Sequence, residues 1–328
     1  MHAAAFSPRG GVAPRSARPR GQSIIEYVLI VAIIGLVVVF AGPQVSQAIH
    51  NQFGSVTNTL ASGTHGGGFT GGGGTSSGGA GSKTPNQEQI KYLESMKSVT
   101  EKDAKDWTLA DQQLAAEDIA KRGTASVAFP KARVAMDAGT EFSVKLTNGQ
   151  ALTYRIVGIN HDDLADGSGK AGLTFEATNF ARDAQRMNPT DTNVGGWEKS
   201  ELRSRLNTGD LWSLLPAELR SKVKAVKKLT DNQGGGKAGT PSATADKVFL
   251  LSASEVYGDL DSDGTQYEYY KSKGVTMSNY SGASSGADRW TRSVTPSYST
   301  YFRSVFSNGN EYGNYATSTS CVLPAFSF

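Results

Sequence analysis

From Ile24 to Gly42 every position is apolar or small except Glu26 and Tyr27. About twenty such residues in a row predict a helix long enough to cross a bilayer. Arg9, Arg15, Arg18 and Arg20 precede the run with no acidic residue among them, which by the positive-inside bias holds the N-terminus on the cytoplasmic side. A carboxylate at the start of such a run is costly if unpaired, so Glu26 is a functional candidate. No Ala-x-Ala pattern follows the apolar core, so a removed secretory signal fits poorly. Pro43 interrupts the run, and Val45, Ala48, Ile49 and Phe53 then recur at helical spacing, so an amphipathic helix is predicted to about Phe53.

Further along, Ile90, Leu93 and Met96 mark one helical stripe. A second runs from the candidate cap Thr108 through Leu109, Leu114, Ala115 and Ile119 to a stop at Gly123, predicting a helical hairpin over 85–123 with Trp107 anchoring it. From Ala125 the pattern turns to period two. Phe142, Val144 and Leu146, then Asn148-Gly149, then Leu152, Tyr154 and Ile156 predict a β-hairpin with a primed turn. Leu173–Thr178 predicts another strand, Gly195–Asn207 a helix burying Trp197, Leu202 and Leu206, and Leu214–Val223 a helix with Pro216 in its first turn. Val223–Leu229 and Asp246–Ser252 read as strands. These elements predict a mixed α+β domain over 124–328.

Composition sharpens this picture. Glycine is in excess, 38 of 328 residues, and much of it lies in 61–84. That stretch reads as a flexible linker with a mean reach of roughly 25 Å. The formal charge of +3 becomes −1 once the four arginines ahead of Gly21 are set aside, so no nucleic-acid partner is indicated. Cys321 is the single cysteine, so no disulfide forms within the chain, and it reads as a small core residue.

Two stretches carry family resemblances. Gly21, Gln22, Glu26 as the fifth residue after the glycine, and Tyr27, set between a basic leader and an apolar helix, resemble the processing site of type IVb prepilins of the Flp (tight-adherence) class. The resemblance implies a prepilin peptidase that cuts between Gly21 and Gln22, and a helix that anchors the subunit in the membrane and later packs against other pilin subunits. In that family the carboxylate corresponding to Glu26 meets the new N-terminal amine of a neighbouring subunit. Opposite charges in a dry bundle fix register as well as adding energy.

The second resemblance runs over about Glu141–Phe328. Gly195-Gly-Trp-x-x-Ser-x-Leu-Arg-x-x-Leu-Asn, Leu215-Pro-x-x-Leu, Lys247-Val-Phe-Leu-Leu-Ser-x-x-Glu, Trp290-x-Arg-Ser and Pro324-Ala-Phe resemble a bacterial surface domain of unknown function. Its order of elements is similar to the C-type-lectin-like, formylglycine-generating-enzyme-like fold. That fold hosts binding, adhesion and oxidation alike, and a lone cysteine does not supply the oxidative chemistry.

Candidate chemistry is sparse. His161, in Asn160-His-Asp-Asp, reads as a polar loop or capping residue rather than a zinc ligand. Glu255 and Arg292 read as a structural ion pair. Asp259, Asp261 and Asp263, followed by Gly264, match the opening of a calcium loop, but the twelfth position is Tyr270 rather than glutamate. The late tyrosines Tyr267, Tyr269, Tyr270, Tyr280, Tyr298, Tyr301, Tyr312 and Tyr315, among Ser, Asn and Gly, have the composition of an adaptable binding face.

The expected fold class is therefore α+β: an N-terminal transmembrane or assembly α-helix, a Gly-rich linker and a C-terminal lectin-like head. The expected divisions are a leader over 1–21, the helix over 22–60, the linker over 61–84, the hairpin over 85–123 and the head over 124–328. The expected function is that of a non-enzymatic structural and adhesive pilin-like subunit. It would sit in the inner or cytoplasmic membrane before assembly and at the cell surface afterwards. The expected partners are a prepilin peptidase, other pilin subunits, the membrane and an extracellular ligand, with no cofactor beyond the candidate calcium. The alternative is an anchored, lectin-like surface binding protein that never polymerises.

Overall fold

The computed structural model describes residues 87–179, 183–258 and 260–328, all within the second of the chain's two units, Ser82–Phe328. Helices come first: α1 (Gln87–Ser95), α2 (Lys97–Glu101), α3 (Leu109–Arg122) and α4 (Phe129–Ala138). Trp107 is buried, and its ring N–H donates to the Val99 carbonyl over 3.1 Å. α4 falls where period-two structure was expected. Pro130 stands in its first turn, and Ala132, Ala135 and Met136 form a buried stripe at helical spacing.

α3 begins where the sequence placed it. The Thr108 hydroxyl accepts from the Asp111 amide, and the Asp111 carboxylate accepts from the Thr108 amide. Lys102 Nζ lies 2.6 Å from the same carboxylate. Burial pushes the Asp111 carboxyl up, but the bonds from Lys102 and Thr108 outweigh it and hold the group down at about 2. Unfolded, it titrates near 4. Its contribution is thus full above that value and lost as pH falls through about 2. Asp111→Asn is expected to cost about 1–2 kcal/mol at neutral pH. Urea unfolding at stepped pH should show variant and wild type converging near pH 2, at about the folded-state value.

β1 (Glu141–Lys145) and β2 (Ala151–Ile159) form the expected hairpin, Leu152, Tyr154 and Ile156 alternating inward. The turn differs from expectation. Gly149 takes φ +88° while Asn148 does not enter the positive-φ region. The Leu146 amide donates to Gln150 and the Gly149 amide to Leu146. This is a three-residue loop closed by a left-handed glycine, not a primed two-residue turn.

The chain continues through β3 (Leu173–Ala177), α5 (Glu201–Asn207), α6 (Asp210–Leu214), α7 (Ala217–Lys222), β4 (Val226–Thr230), β5 (Ser242–Asp246) and β6 (Val248–Phe249). It ends with α8 (Ala253–Tyr257), α9 (Glu268–Ser272), β7 (Arg289–Val294), β8 (Tyr301–Val305), β9 (Glu311–Tyr315) and β10 (Ala325–Ser327). Strands pair antiparallel in the orders β1-β2-β3-β10-β6, β4-β5 and β7-β8-β9. The C-terminal strand thus closes the middle of the largest sheet. Around Phe175 lie the rings of Phe142, Tyr154, Phe326 and Phe328, with centroids 6.1, 5.5, 5.5 and 5.0 Å away. Such tilted and stacked pairs add to what burial alone supplies. Met96, Val99, Trp107, Ile119 and Met136 belong to the same core, so the helical layer and the sheets bury one another.

Several expected elements are shorter than the pattern suggested. The stretch from Gly195 begins as a turn, and α5 starts only after its cap Ser200, with Trp197, Leu202 and Leu206 buried as expected. Pro216 caps α7 from outside rather than standing in its first turn. The expected strand over Asp246–Ser252 reduces to the two residues of β6. Cys321 is half-buried rather than a core residue.

The expected fold class is overturned. Among the described residues no helix is long and apolar enough to cross a membrane, and the longest of these, α3, has 14 residues. The leader, the helix expected over 22–60 and the linker over 61–84 lie outside the described residues. Over the described residues the architecture is mixed helix and sheet, helical from Gln87 to Ala138 and mostly antiparallel sheet toward the C-terminus.

Candidate functional site

Strand alternation places Val226, Lys228 and Thr230 of β4 inward and leaves Lys227 and Leu229 exposed. An ammonium in such a place must be paired. Lys228 Nζ lies 2.6 Å from Asp162 Oδ1, 2.5 Å from Glu255 Oε1 and 2.9 Å from the Tyr267 hydroxyl. It also sits over the Phe249 ring, 4.4 Å from its centroid. Asp162 follows β2, and its Oδ2 accepts from Thr174 over 2.6 Å and from Tyr267 over 2.8 Å. Lys228, Asp162, Glu255 and Tyr267 are all buried.

Glu255 is held from the other side by Arg292 of β7, bidentately at 2.5 and 2.8 Å. A capping box with Ser252 fixes its backbone. Arg292 also donates to the carbonyls of Leu229, Leu250 and Asp263 and to the Thr230 hydroxyl. The Glu255–Arg292 pair read from the sequence is therefore present, buried and structural. Burial pushes the Glu255 and Asp162 carboxyls up, but Arg292 and Lys228 respectively win and hold both below the usual carboxylate range. Tyr267 is driven well above its ordinary value by burial and by Asp162.

His161 borders this cluster. Its Nδ1 is 3.2 Å from Glu268 and its ring stacks on Tyr267 with centroids 4.0 Å apart. Burial lowers the imidazole's affinity for a proton, but Glu268 and Asp162 outweigh it and raise its pKa. A parallel cluster surrounds buried Glu176, which takes Arg289 at 3.1 Å, Arg155 at 3.3 Å and the Tyr270 hydroxyl at 2.6 Å.

The motif residues from 195 onward serve this scaffold. The Trp197 ring N–H donates to Asp246 over 3.0 Å, and Arg203 reaches the same carboxylate at 2.6 Å. Asn207 ties α5 to β6 by donating to the Val248 carbonyl. Ser293 donates to Asp263 and accepts from the Ala253 amide. A shallow cleft of about 320 Å³ lies beside Arg203, Asn207 and Lys247.

The tyrosines divide. Tyr267, Tyr269 and Tyr270 are buried, and Tyr280 packs against the core. Tyr298, Tyr312 and Tyr315 are exposed, at 55%, 55% and 48%. Tyr301 of β8 lies directly across from Tyr315 of the edge strand β9. Tyr298 stacks on Tyr301 at 5.0 Å and 8°, and Tyr315 meets Tyr301 edge-on at 4.5 Å. A hydrogen bond with Tyr315 pushes the Tyr301 phenol up to about 12. On the other face Tyr312 stacks on Phe306. Three phenol rings are thus in contact, Tyr298 from the loop before β8 and Tyr315 from β9, both exposed, with half-buried Tyr301 of β8 between them.

Of the remaining sequence candidates, Gly21, Gln22, Glu26, Tyr27 and Asp259 lie outside the described residues. Asp261 is 2.8 Å from Arg303, and burial raises its carboxyl despite that arginine. Asp263 is buried and accepts from Ser254 and Ser293. Among the described residues no three His, Cys, Asp or Glu side chains are grouped to hold a metal ion.

Residues 168–328, slightly under half of the chain, match the family described as a domain of unknown function, DUF6273. No curated protein matches the chain. Neither does any solved structure.

Proposed function

We propose that the chain is a structural and adhesive subunit of a type IVb pilus-like surface assembly, with residues 87–328 as its displayed binding head. The N-terminal order of basic leader, Gly21-Gln22, Glu26-Tyr27 and apolar run supports processing and assembly. The observation that carries the binding role is the contact set of exposed Tyr298, in the loop before β8, half-buried Tyr301 of β8 and exposed Tyr315 of β9. Rigid phenols give large amphipathic contact area at little entropic cost. The buried charge clusters hold the head together, and the reading is non-enzymatic. It places the precursor in the inner or cytoplasmic membrane and the mature chain at the cell surface, with a prepilin peptidase and other pilin subunits as partners.

The test is to produce the full chain with and without a prepilin peptidase and to determine its N-terminus by mass spectrometry. The mature chain should begin at Gln22, and Gly21→Phe should retain Met1. Glu26→Leu should still be cut, yet surface filaments detected by antibody to the head should disappear. Losing one half of a buried pair costs about 3–5 kcal/mol, and here that cost falls on assembly. Retention of the leader in surface material would refute processing. Correct processing without filaments would favour the anchored binding protein.

A further inference from the structure

Lys228 and Asp162 form a buried ion pair with a second carboxylate against the same ammonium. Their polar atoms are 2.6 Å apart, both side chains are 2–3% exposed, and a third group capable of moving protons, Glu255, is 2.5 Å from the same nitrogen. The local charges sort unevenly. Glu255 has its own bidentate partner in Arg292. Loss of the Lys228 and Asp162 charges would therefore take one cation from Glu255 and leave it its bidentate partner Arg292. The two oxygens of Asp162 are also distinguished. Oδ1 faces the ammonium, while Oδ2 accepts from two hydroxyls, those of Thr174 and Tyr267.

We propose that Lys228 and Asp162 condense to an intramolecular isopeptide bond, with Glu255 as the proton-transferring residue and the Thr174 and Tyr267 hydroxyls as the oxyanion donors. One ammonium proton passes along the Nζ–Oδ1 hydrogen bond and gives a neutral amine beside a neutral acid. The ionised pair is the resting state, and desolvation of both ions lowers the cost of this exchange relative to the same exchange in water. The Nζ lone pair attacks Cγ, and the negative charge collects on Oδ2, where two donors already point. Glu255 takes a second proton from the attacking nitrogen and returns it to Oδ1. The Cγ–Oδ1 bond breaks, water leaves and the amide remains. One bond forms, one breaks, both charges vanish, and no oxidant or co-reactant is needed. Fixed contact between the groups supplies the proximity that the reaction lacks in water.

The bond would join the end of β2 to β4 across a separation of 66 residues. It would cross-link the five-stranded sheet to the β4–β5 hairpin in a chain without a disulfide. This inference does not depend on the proposed function.

The full-length protein, purified and fully denatured, decides the matter by mass spectrometry. The expected result is a wild-type mass lighter than its sequence by one water, and a tryptic digest in which the peptide of Asp162 is joined to that of Lys228 with no cleavage after Lys228. Lys228→Arg and Asp162→Ala should each have the full mass of their own sequence. Wild-type protein with an unreduced mass and cleavage after Lys228 would overturn the proposal, as would a water loss located elsewhere. A Glu255→Gln protein shown to be folded by near-ultraviolet circular dichroism should remain unlinked; complete linkage in it would overturn the role given to Glu255.

Discussion

Arg292→Leu is expected to destabilise the head by about 3–5 kcal/mol, the cost of breaking a buried ion pair from one side. Its guanidinium is fully buried and satisfies both oxygens of Glu255 as well as the carbonyls of Leu229, Leu250 and Asp263. Leucine fills part of the volume and supplies none of these donors. Beyond the Ser252 amide, Glu255 would then depend on Lys228, which Asp162 also claims, and if Lys228 is condensed Glu255 would face no cation at all. A domain holds about 5–15 kcal/mol in total, so the loss is a large share of it. Urea unfolding should show a much lower midpoint with an unchanged slope. The comparison is Arg133→Ala, which breaks an exposed pair with Asp137 at 47% and 43% exposure and should change stability by about 0.5 kcal/mol or less. Equal effects from the two substitutions would refute the structural role given to the Arg292 cluster.

The same cluster shows what was legible beforehand. Glu255 and Arg292 stood out as a pair because each sits in a short motif, and the capping order Ser252-x-x-Glu255 is itself a readable signal. Lys228 did not stand out. In Val226-Lys-Lys-Leu-Thr both lysines look solvated, yet period two from Val226 puts Lys228 on the inner side and sends Leu229 out to 44% exposure. Alternation, not charge, decides which of the two lysines turns inward. Asp162 was likewise hidden in a run of polar loop residues, because its partners come from β3, β4 and α9 or the residue before it. Long-range pairing of this kind has no local signature. The β1–β2 hairpin was readable because alternation and turn residues lie within one short stretch. Its turn type was not, since Asn-Gly fits more than one loop length. The binding composition of the late tyrosines was readable too, but their division into buried and exposed sets depends on which face of which strand each occupies.

The close approach of the α3 backbone to Gly172 has no local signature in the sequence, and it yields the other large effect. Gly172→Ala is expected to cost more than about 3 kcal/mol, at the severe end of overpacking. A Cβ built on Gly172 would sit 1.8 Å from the carbonyl oxygen of Ala116 and 2.6 Å from its carbonyl carbon. Both are backbone atoms of α3, so no side-chain rotation relieves the overlap. Either α3 moves off or the start of β3 does. The amide of Gly172 donates to Phe328 and its carbonyl accepts from Asn160, so the strand side is fixed by the C-terminal residue and by the loop that leads to Asp162. Moving α3 instead would open the packing of Ala115, Ala116 and Ile119, all fully buried. The measurement is hydrogen exchange alongside urea unfolding. Gly172→Ala should lose protection first in α3 and β3, with the global midpoint lowered. A variant with wild-type stability and unaltered exchange in α3 would show that the helix does not rest on β3 at this distance.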